Sequence, residues 1–215
     1  MMRPLLTHEV GSLAKPGWRV KGYAGAKLLE KEVEEARVWG ECLSVPGHEK
    51  LLDLLLRSPL DTAGKEDLRR WSSHYGVRLL ESAGLELVYD GEQQRSEMYA
   101  WAVAHTEGFE FKGSVRSFDN KYYSKAAVTG PISVKTPYHT REFDFVASVA
   151  KSPLKIPVTG AYTIADWSFD NNYLREGDVI GSSAGRGSRR AARRRFILDV
   201  ARRMVRPNLE DLIAH

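Results

Sequence analysis

The hydrophobic pattern of the chain alternates short apolar runs with longer segments of helical spacing. The first run begins at Leu5 and stops at Gly11 and Ser12, and the second, residues 85–89, stops at a cluster of charged residues. A third run, residues 155–158, leads into small and polar residues. Each run predicts a mostly buried strand, because turn-forming or polar residues end it after a few positions.

Segments between these runs carry apolar residues three and four positions apart with charges opposite, which is typical of amphipathic helices. They cover residues 26–43, 47–57, 67–83, 95–105 and 141–151. Two aromatic and β-branched runs, 109–118 and 122–128, flank the turn pair Asp119-Asn120 and predict a hairpin. Because parallel strands need crossover connections, strands separated by helices predict an α/β sheet or barrel.

The last part of the chain has a loop followed by a long helix. Residues 171–187 are rich in Gly, Ser, Asn and Asp, and a loop of this length favours a mobile lid. Ser188 is a suitable N-cap for a helix over residues 189–215. We expect Pro207 to kink this helix, because proline removes a backbone donor and clashes with the preceding turn.

Composition excludes several classes of protein. The chain has 215 residues, of which 42% are hydrophobic, so it can bury a sizeable core. Its single cysteine, Cys42, excludes an internal disulfide framework and a site built from several cysteines, and we expect it to pack within a helix rather than bind a metal. The sequence offers neither a membrane span nor a signal peptide, which favours a cytoplasmic protein without a membrane partner.

Positive charge is concentrated near the C-terminus. The net charge of the chain is +4, yet residues 186–206 contain nine arginines and one aspartate. Such a segment can bind nucleic acid. Its arginines alternate with apolar residues at helical spacing, however, so a solvated or partner-facing helix explains them equally well, and we do not expect nucleic acid to be the partner.

Candidate binding residues follow the predicted strands. In α/β folds ligands bind at the carboxyl ends of strands, so Gly11, Ser12, Glu92, Asp166 and Trp167 are the candidates. Each also has a plain structural interpretation: a Gly-Ser turn, solvated acids, and a tryptophan in the core. The sequence lacks a Gly-x-Gly-x-x-Gly motif after the first strand and lacks a phosphate-loop motif, which disfavours both nucleotide-binding folds.

Three motifs carry a resemblance to a known family. Residues 8–12 are His-Glu-Val-Gly-Ser, residues 89–98 are Tyr-Asp-Gly-Glu-Gln-Gln-Arg-Ser-Glu-Met, and residues 158–169 are Val-Thr-Gly-Ala-Tyr-Thr-Ile-Ala-Asp-Trp-Ser-Phe. In order and spacing they resemble successive motifs of the cobalamin-independent methionine synthases, in the first half of the catalytic C-terminal barrel. The resemblance implies about the first four βα units of a TIM-type (β/α)8 barrel, with residues 1–215 as one domain.

The same resemblance implies an enzyme of methionine biosynthesis, a homocysteine S-methyltransferase that moves a methyl group to the homocysteine thiol. By the motif match, Gly11 and Ser12 contact the carboxylate end of homocysteine and Glu92 receives its ammonium. Trp167, with Asp166 beside it, adjoins the methyl donor, which is methyltetrahydrofolate or a methylated corrinoid. A carboxylate suits an ammonium and an indole suits a flat donor. No residue of the chain is assigned as catalytic.

The resemblance also implies Zn²⁺, which favours the reactive thiolate of the substrate. The family's zinc ligands, a His-x-Cys pair, a Glu and a second Cys, belong to the later half of the barrel, as does an Ile-Asp-Glu-Pro-Ala segment, and we expect this chain to contain neither. One hypothesis is therefore an enzyme whose second half is missing or is a separate polypeptide. The alternative is a non-catalytic or incomplete half-barrel that binds ligand, self-associates or joins a partner.

Overall fold

The computed structural model describes residues 5–57, 59–116, 122–134, 136–173 and 183–214, with side chains from residue 189 onward in the last range. The helices and strands, in chain order, are α1 Gly17–Tyr23, α2 Glu30–Cys42, α3 Glu49–Leu55, α4 Thr62–Ser82, α5 Met98–Ala104, β1 Thr106–Arg116, β2 Tyr122–Val134, α6 His139–Val149, α7 Ala161–Trp167, β3 Phe169–Asp170, α8 Ser183–Val200, a π-helix Ala201–Val205, and α9 Arg206–Ala214.

The chain folds as two compact units. The first contains the chain up to Arg95 together with Arg141–Pro157, and the second contains Ser96–Thr140 and the chain from Val158 onward. Each unit is built from two separate stretches of sequence, so this grouping does not cut the chain at a single point. The organisation as one domain stays a prediction.

Three extended segments of the first unit lie side by side and parallel. His8 forms a parallel bridge with Leu87, and Val88 forms one with Leu154. The Lys155 N–H also donates to the Val88 carbonyl at 3.0 Å. The first two predicted strands therefore pair in the predicted direction, although each pairing is an isolated bridge rather than a long ladder.

Helices α1 to α4 pack around an apolar core in the same unit, built from Trp18, Ala36, Val45, Leu51, Leu55, Leu60, Leu68 and Tyr75. Helix α4 begins at the Asp61 N-cap, whose carboxylate accepts from the Gly64 N–H at 2.8 Å. It ends before Gly84, whose φ of +77° lets the chain turn toward the second extended segment. Gly76 lets the helix approach that segment, since a Cβ there would lie 2.5 Å from the Asp90 carbonyl oxygen.

The second unit contains the sheet, with strand order β1-β2-β3. The predicted hairpin is confirmed, because β1 and β2 pair antiparallel from Thr106–Val134 to Arg116–Tyr122. The predicted turn at Asp119-Asn120 lies outside the described residues. Strand β3 adds to β2 in parallel. One face of the sheet packs on helices α5, α7 and α8 through Tyr99, Val103, Ala126, Val128, Ile164, Phe196 and Val200.

The prediction of a strand at residues 155–158 is wrong, because these residues form no strand in the structure. Residues 161–167 form helix α7, in which the Ile164 N–H donates to the Gly160 carbonyl at 3.1 Å, and Trp167 is the last residue of this helix. Ile164 and Ala165 are consecutive and both buried, as on the inner side of a helix, whereas a strand would place them on opposite faces. The segment before this helix pairs with Val88 at Leu154 and through the Lys155 N–H, which makes an isolated bridge rather than a ladder.

The C-terminal helix begins earlier than predicted, at Ser183 rather than after Ser188. Pro207 does not end it, but the helix changes from α to π over Ala201–Val205, directly before the proline. A local π segment accommodates the missing proline donor. Most of the predicted lid, residues 174–182, lies outside the described residues. In the part of the chain that the structure describes, no helix is long and apolar enough to span a membrane.

Candidate functional site

The loop after the second extended segment has an unusual backbone. Gly91 and Glu92 both have left-handed φ angles, +64° and +59°. A left-handed conformation is uncommon for a residue with a side chain and persists where the surroundings fix it. Here the Glu92 N–H donates to Asp90 Oδ1 at 2.8 Å, which closes a tight turn. The direction of the Glu92 side chain is therefore set by the backbone.

Asp90 anchors this turn from inside the unit. Its side chain has no exposed surface, and its Oδ2 accepts from the Ser73 hydroxyl at 2.8 Å and from Gln94 Nε2 at 3.4 Å. Burial raises the pKa of Asp90 above its ordinary value, because a carboxylate loses its hydration inside the protein, and the Ser73 hydrogen bond opposes that rise. Asp90 is thus a structural acid at the base of the loop.

The loop around Ser12 packs on the same turn. The Leu13 N–H donates to the Gly91 carbonyl at 3.0 Å, and the Ser12 hydroxyl donates to Glu92 Oε2. Ser12 and Glu92 are 80 positions apart in sequence, and the structure brings them together as the strand pattern predicts. Gly11 is half-buried, and among the described residues no atom lies within 4 Å of the place where its Cβ would be.

Arg95 and Glu142 complete this group of side chains. Arg95 Nη1 donates to Glu92 Oε1 at 3.2 Å, while Nε donates to both oxygens of Glu142 at 3.1 Å and Nη2 also donates to Glu142. The side chains of Arg95 and Glu142 are only 1% and 2% exposed. We call Ser12, Asp90, Glu92, Arg95 and Glu142 the charged cluster.

The Glu92 carboxylate is the part of the charged cluster that is closest in chemistry to a cation site. Glu92 is the most exposed of the charged side chains in the cluster, at 9%, and it lies beside Ser12, which is exposed. Its carboxylate is hydrogen-bonded on both oxygens and cannot turn away. A fixed carboxylate beside a hydroxyl suits an ammonium group, which needs several acceptors in a defined arrangement.

Trp167 and Asp166 belong to the second unit. The Trp167 ring centroid lies 4.7 Å from that of Tyr123 and 5.9 Å from that of Tyr99, and the Tyr99 and Tyr123 rings are perpendicular at 6.4 Å. We call Tyr99, Tyr123 and Trp167 the aromatic cluster. Asp166 is exposed and forms an ion pair with Arg193. We predicted that Trp167 belongs to the same binding site as Ser12 and Glu92, and this stays a prediction.

Several arginines of the predicted basic segment have partners within the chain. Besides Arg193, Arg203 lies 3.8 Å from Asp199 and Arg206 lies 2.7 Å from Glu210. Acidic neighbours lower the positive potential that a phosphate backbone would meet. The expectation that nucleic acid is not the partner stays a prediction.

A match to a family model over more than half of the chain establishes its family. Residues 49–185 match the family model described as the catalytic domain of the cobalamin-independent synthases. The chain belongs to this family. The predicted family is thereby confirmed, and the match includes the second and third motifs with Glu92 and Trp167, whereas residues 8–12 precede it.

Curated relatives of this cobalamin-independent synthase chain are methionine synthases. The protein of Thermoplasma volcanium is 35% identical over 173 residues, covering 80% of this chain and 41% of that protein. The protein of Thermoplasma acidophilum is 32% identical over 178 residues, covering 83% of this chain and 43% of that protein. The chain thus spans less than half the length of these relatives.

A solved structure has the same fold. The B12-independent methionine synthase of Shewanella sp. W3-18-1, in complex with selenomethionine, matches 97% of this chain and 48% of its own chain. The TM-score is 0.63 at 20% sequence identity, so this likeness concerns the fold alone. This chain therefore has an α/β fold similar to that of the B12-independent methionine synthase.

The family implies zinc, and the described residues do not fit it. Within the described ranges, no three His, Cys, Asp or Glu side chains lie close enough together to hold a metal ion. Cys42 is exposed at the end of α2, so the prediction that it packs in the interior is wrong. We assign no chemical step of this chain to a metal.

Sequence patterns did not indicate that Arg95 and Glu142 belong to the charged cluster. Glu142 stands in the first turn of α6, where an acid suits the helix dipole and needs no other explanation. Arg95 is 47 positions away, and no local spacing indicates that the two residues meet. The one available signal was the Glu-x-x-Arg spacing of Glu92 and Arg95 just after a strand.

Proposed function

We propose that this chain is part of a methyltransferase of methionine biosynthesis, in which a methyl group passes from a folate or corrinoid donor to the homocysteine thiol. The observation that supports this most is the contact between Ser12 and Glu92, in which Glu92 lies within the range matched by the family model. The proposal concerns the whole enzyme, of which this chain spans less than half the length seen in its relatives.

The charged cluster is the proposed site for the amino-acid end of homocysteine. Gly11 and Ser12 bind near the carboxylate, where backbone approach is open, and Glu92 accepts from the ammonium. A solved family member of similar fold holds selenomethionine, an amino acid with the same carboxylate and ammonium groups as homocysteine. The buried, doubly hydrogen-bonded Glu92 suits a ligand with a compact positive charge.

The aromatic cluster is the proposed contact for the methyl donor, with Trp167 stacking on a flat group and Asp166 hydrogen-bonding at its edge. Trp167 is half-buried against two tyrosines, so its ring is held in a fixed plane. Aromatic rings bind flat partners best when their own orientation is fixed. The choice between methyltetrahydrofolate and a methylated corrinoid belongs to this part of the proposal.

We further propose that the chain represents about the first four βα units of a (β/α)8 barrel, and that the zinc half of the site comes from residues outside it. The parallel segments at His8, Leu87 and Leu154 support such a barrel. In a complete enzyme zinc would favour the thiolate form of homocysteine. The cytoplasmic location stays a prediction.

Titration calorimetry tests the amino-acid site. We expect the purified chain to bind L-homocysteine and L-methionine, and we expect Glu92→Gln to weaken both by roughly tenfold or more, because a neutral amide attracts an ammonium less than a carboxylate does. Glu86→Gln is a matched control, since Glu86 is exposed and contacts Thr7 rather than the charged cluster. An unchanged affinity in Glu92→Gln would remove Glu92 from the site.

A reconstitution assay tests the reaction. We expect methyl transfer to homocysteine when the chain is mixed with a polypeptide that carries the family's His and Cys ligands, in the presence of zinc and a methylated folate or corrinoid. Chelation of zinc should abolish the transfer. Absence of any transfer with either donor, in a mixture that contains the ligand-bearing polypeptide, would argue against an enzymatic role for this chain.

A second candidate function is association through the exposed edge of the parallel segments. Leu5, Leu6 and Val10 flank the His8 bridge and are 92%, 63% and 96% exposed. Exposed apolar side chains beside an unpaired strand edge favour pairing with another chain. Sedimentation velocity tests this: we expect a concentration-dependent dimer that Leu6→Lys weakens, and a monomer at all concentrations would exclude self-association.

A further inference from the structure

The guanidinium of Arg95 donates more hydrogen bonds to one carboxylate of the charged cluster than to another. Three of its hydrogen bonds go to Glu142, and one, at 3.2 Å, goes to Glu92. A guanidinium that donates to both oxygens of one carboxylate binds it more strongly than a guanidinium that donates a single hydrogen bond. Arg95 is therefore mainly the partner of Glu142, and Glu92 receives only a single bond from it.

The charges of these three side chains do not cancel. Two carboxylates and one guanidinium leave one net negative charge, and ionised Asp90 would make the group more negative still. Both Arg95 and Glu142 are buried, so this charge is poorly screened by water. Of the two carboxylates, Glu92 has the weaker share of Arg95.

We propose that Glu142 is a positioning residue that keeps Glu92 available for the ammonium of an amino acid. By holding Arg95, it prevents the guanidinium from neutralising Glu92 with a two-bond contact of its own. An ammonium that reaches Glu92 then meets a carboxylate to which Arg95 donates through Nη1 alone. This inference rests on the proposed function, in which Glu92 binds that ammonium.

The proposal predicts a selectivity, which a merely structural role of Glu142 would not change. The probes are L-methionine and 4-(methylthio)butanoate, which has the same skeleton and carboxylate but no amino group. In Glu142→Gln the fork of Arg95 can turn to Glu92, so we expect methionine affinity to fall by about tenfold, an effect of the size expected for one lost charge interaction. Affinity for the butanoate should stay within about twofold of wild type.

Two further variants accompany this measurement by titration calorimetry of the full chain. Glu142→Asp keeps the charge on a shorter arm, so we expect it to retain most of the preference for methionine. Glu86→Gln removes an exposed acid of the same unit and should change neither affinity. Far-UV circular dichroism establishes that each variant is folded. If Glu142→Gln does not fold, a loss of methionine affinity in Glu142→Asp that exceeds the loss for the butanoate supports the proposal, and an equal change for both probes overturns it.

The outcomes separate this inference from the proposed function. Binding of neither probe by the wild-type chain would contradict the amino-acid site itself. If wild type binds methionine and Glu142→Gln binds each probe as tightly as wild type does, the role of Glu142 is overturned and the amino-acid site is not. Equal weakening of both probes in Glu142→Gln would reduce Glu142 to a purely structural residue and would also overturn it.

Discussion

The charged cluster of the first unit and the aromatic cluster of the second are both built from side chains distant in sequence, but different forces hold them. In the charged cluster, Glu92 and Glu142 are fixed by shared hydrogen bonds to Arg95. In the aromatic cluster, ring packing fixes Trp167 between two tyrosines. Removing one buried charge leaves its partners uncompensated, whereas a packed ring tolerates small changes, so the two regions should respond very differently to substitution.

The largest expected change in stability comes from removing the charge of Arg95. Arg95→Met keeps the length of the side chain but leaves Glu92 and Glu142 buried without their shared cation, so we expect the free energy of unfolding to fall by about 3–5 kcal/mol. Urea denaturation followed by circular dichroism measures this change. If the methionine variant does not fold, Arg95→Lys, which keeps the charge but not the fork, should show a smaller loss.

Arg70→Met is the matched control for Arg95. Arg70 lies in the same unit and is 3.7 Å from Asp67, but both side chains are about half exposed. An exposed pair contributes only about 0–1 kcal/mol, so this variant should unfold close to wild type. Equal losses in the Arg95 and Arg70 variants would mean that burial of the charged cluster has no energetic consequence.

The next effect concerns the buried hydroxyl of Tyr99 in the aromatic cluster. The Tyr99 hydroxyl accepts from the Ala126 N–H at 3.0 Å and lies 2.9 Å from Ser168 Oγ. Tyr99→Phe leaves the buried Ala126 N–H without this acceptor, so we expect a loss of about 1–3 kcal/mol in unfolding free energy. Tyr122→Phe, at a position that is 71% exposed, should change it by less than about 0.5 kcal/mol.

A loss in Tyr99→Phe as small as that in Tyr122→Phe would show that ring packing alone holds the aromatic cluster. If Tyr99→Phe lost as much unfolding free energy as Arg95→Met, the charged cluster and the aromatic cluster would not differ in their response to substitution. Thermal unfolding of all three variants under one condition makes the comparison direct.

The sequence predicted the charged cluster better than the aromatic one, for a physical reason. Ser12 and Glu92 each follow a short apolar run, and parallel pairing of those runs brings their ends together. Helix α7 was missed because Ile164 and Ala165 lie in an apolar run too short to distinguish helix from strand by periodicity. Glu142 was missed as a partner of Arg95, because contacts across 47 positions leave no local pattern.

A smaller effect is the dependence of the unfolding free energy on pH that Asp90 causes. The pKa of Asp90 is raised in the folded state by burial, so the folded protein holds this proton more tightly than the unfolded chain does. The stability that the protonated acid contributes is present below its ordinary pKa and is lost as pH rises through the raised pKa. Asp90→Asn is neutral throughout, so wild type should lose stability relative to this variant as pH increases through that window.

Urea midpoints between pH 4 and pH 8, a range chosen to cover raised carboxyl pKa values, measure the difference between wild type and Asp90→Asn. Asp53→Asn, an exposed position on α3, is the control and should leave the shape of the profile unchanged. A constant difference between wild type and Asp90→Asn at every pH would mean that Asp90 has the same proton affinity folded and unfolded.

The smallest expected effect lies at the edge of the aromatic cluster. Asp166 pairs with Arg193, but the two side chains are 43% and 46% exposed, so water and salt screen the pair. Asp166→Asn should therefore lower the unfolding free energy by only about 0–1 kcal/mol, measured in urea at low and high salt. A larger loss would contradict this, and it would make Asp166 a structural residue. With a small loss, any weakening of methylfolate binding in the same variant reports on the proposed donor contact rather than on folding.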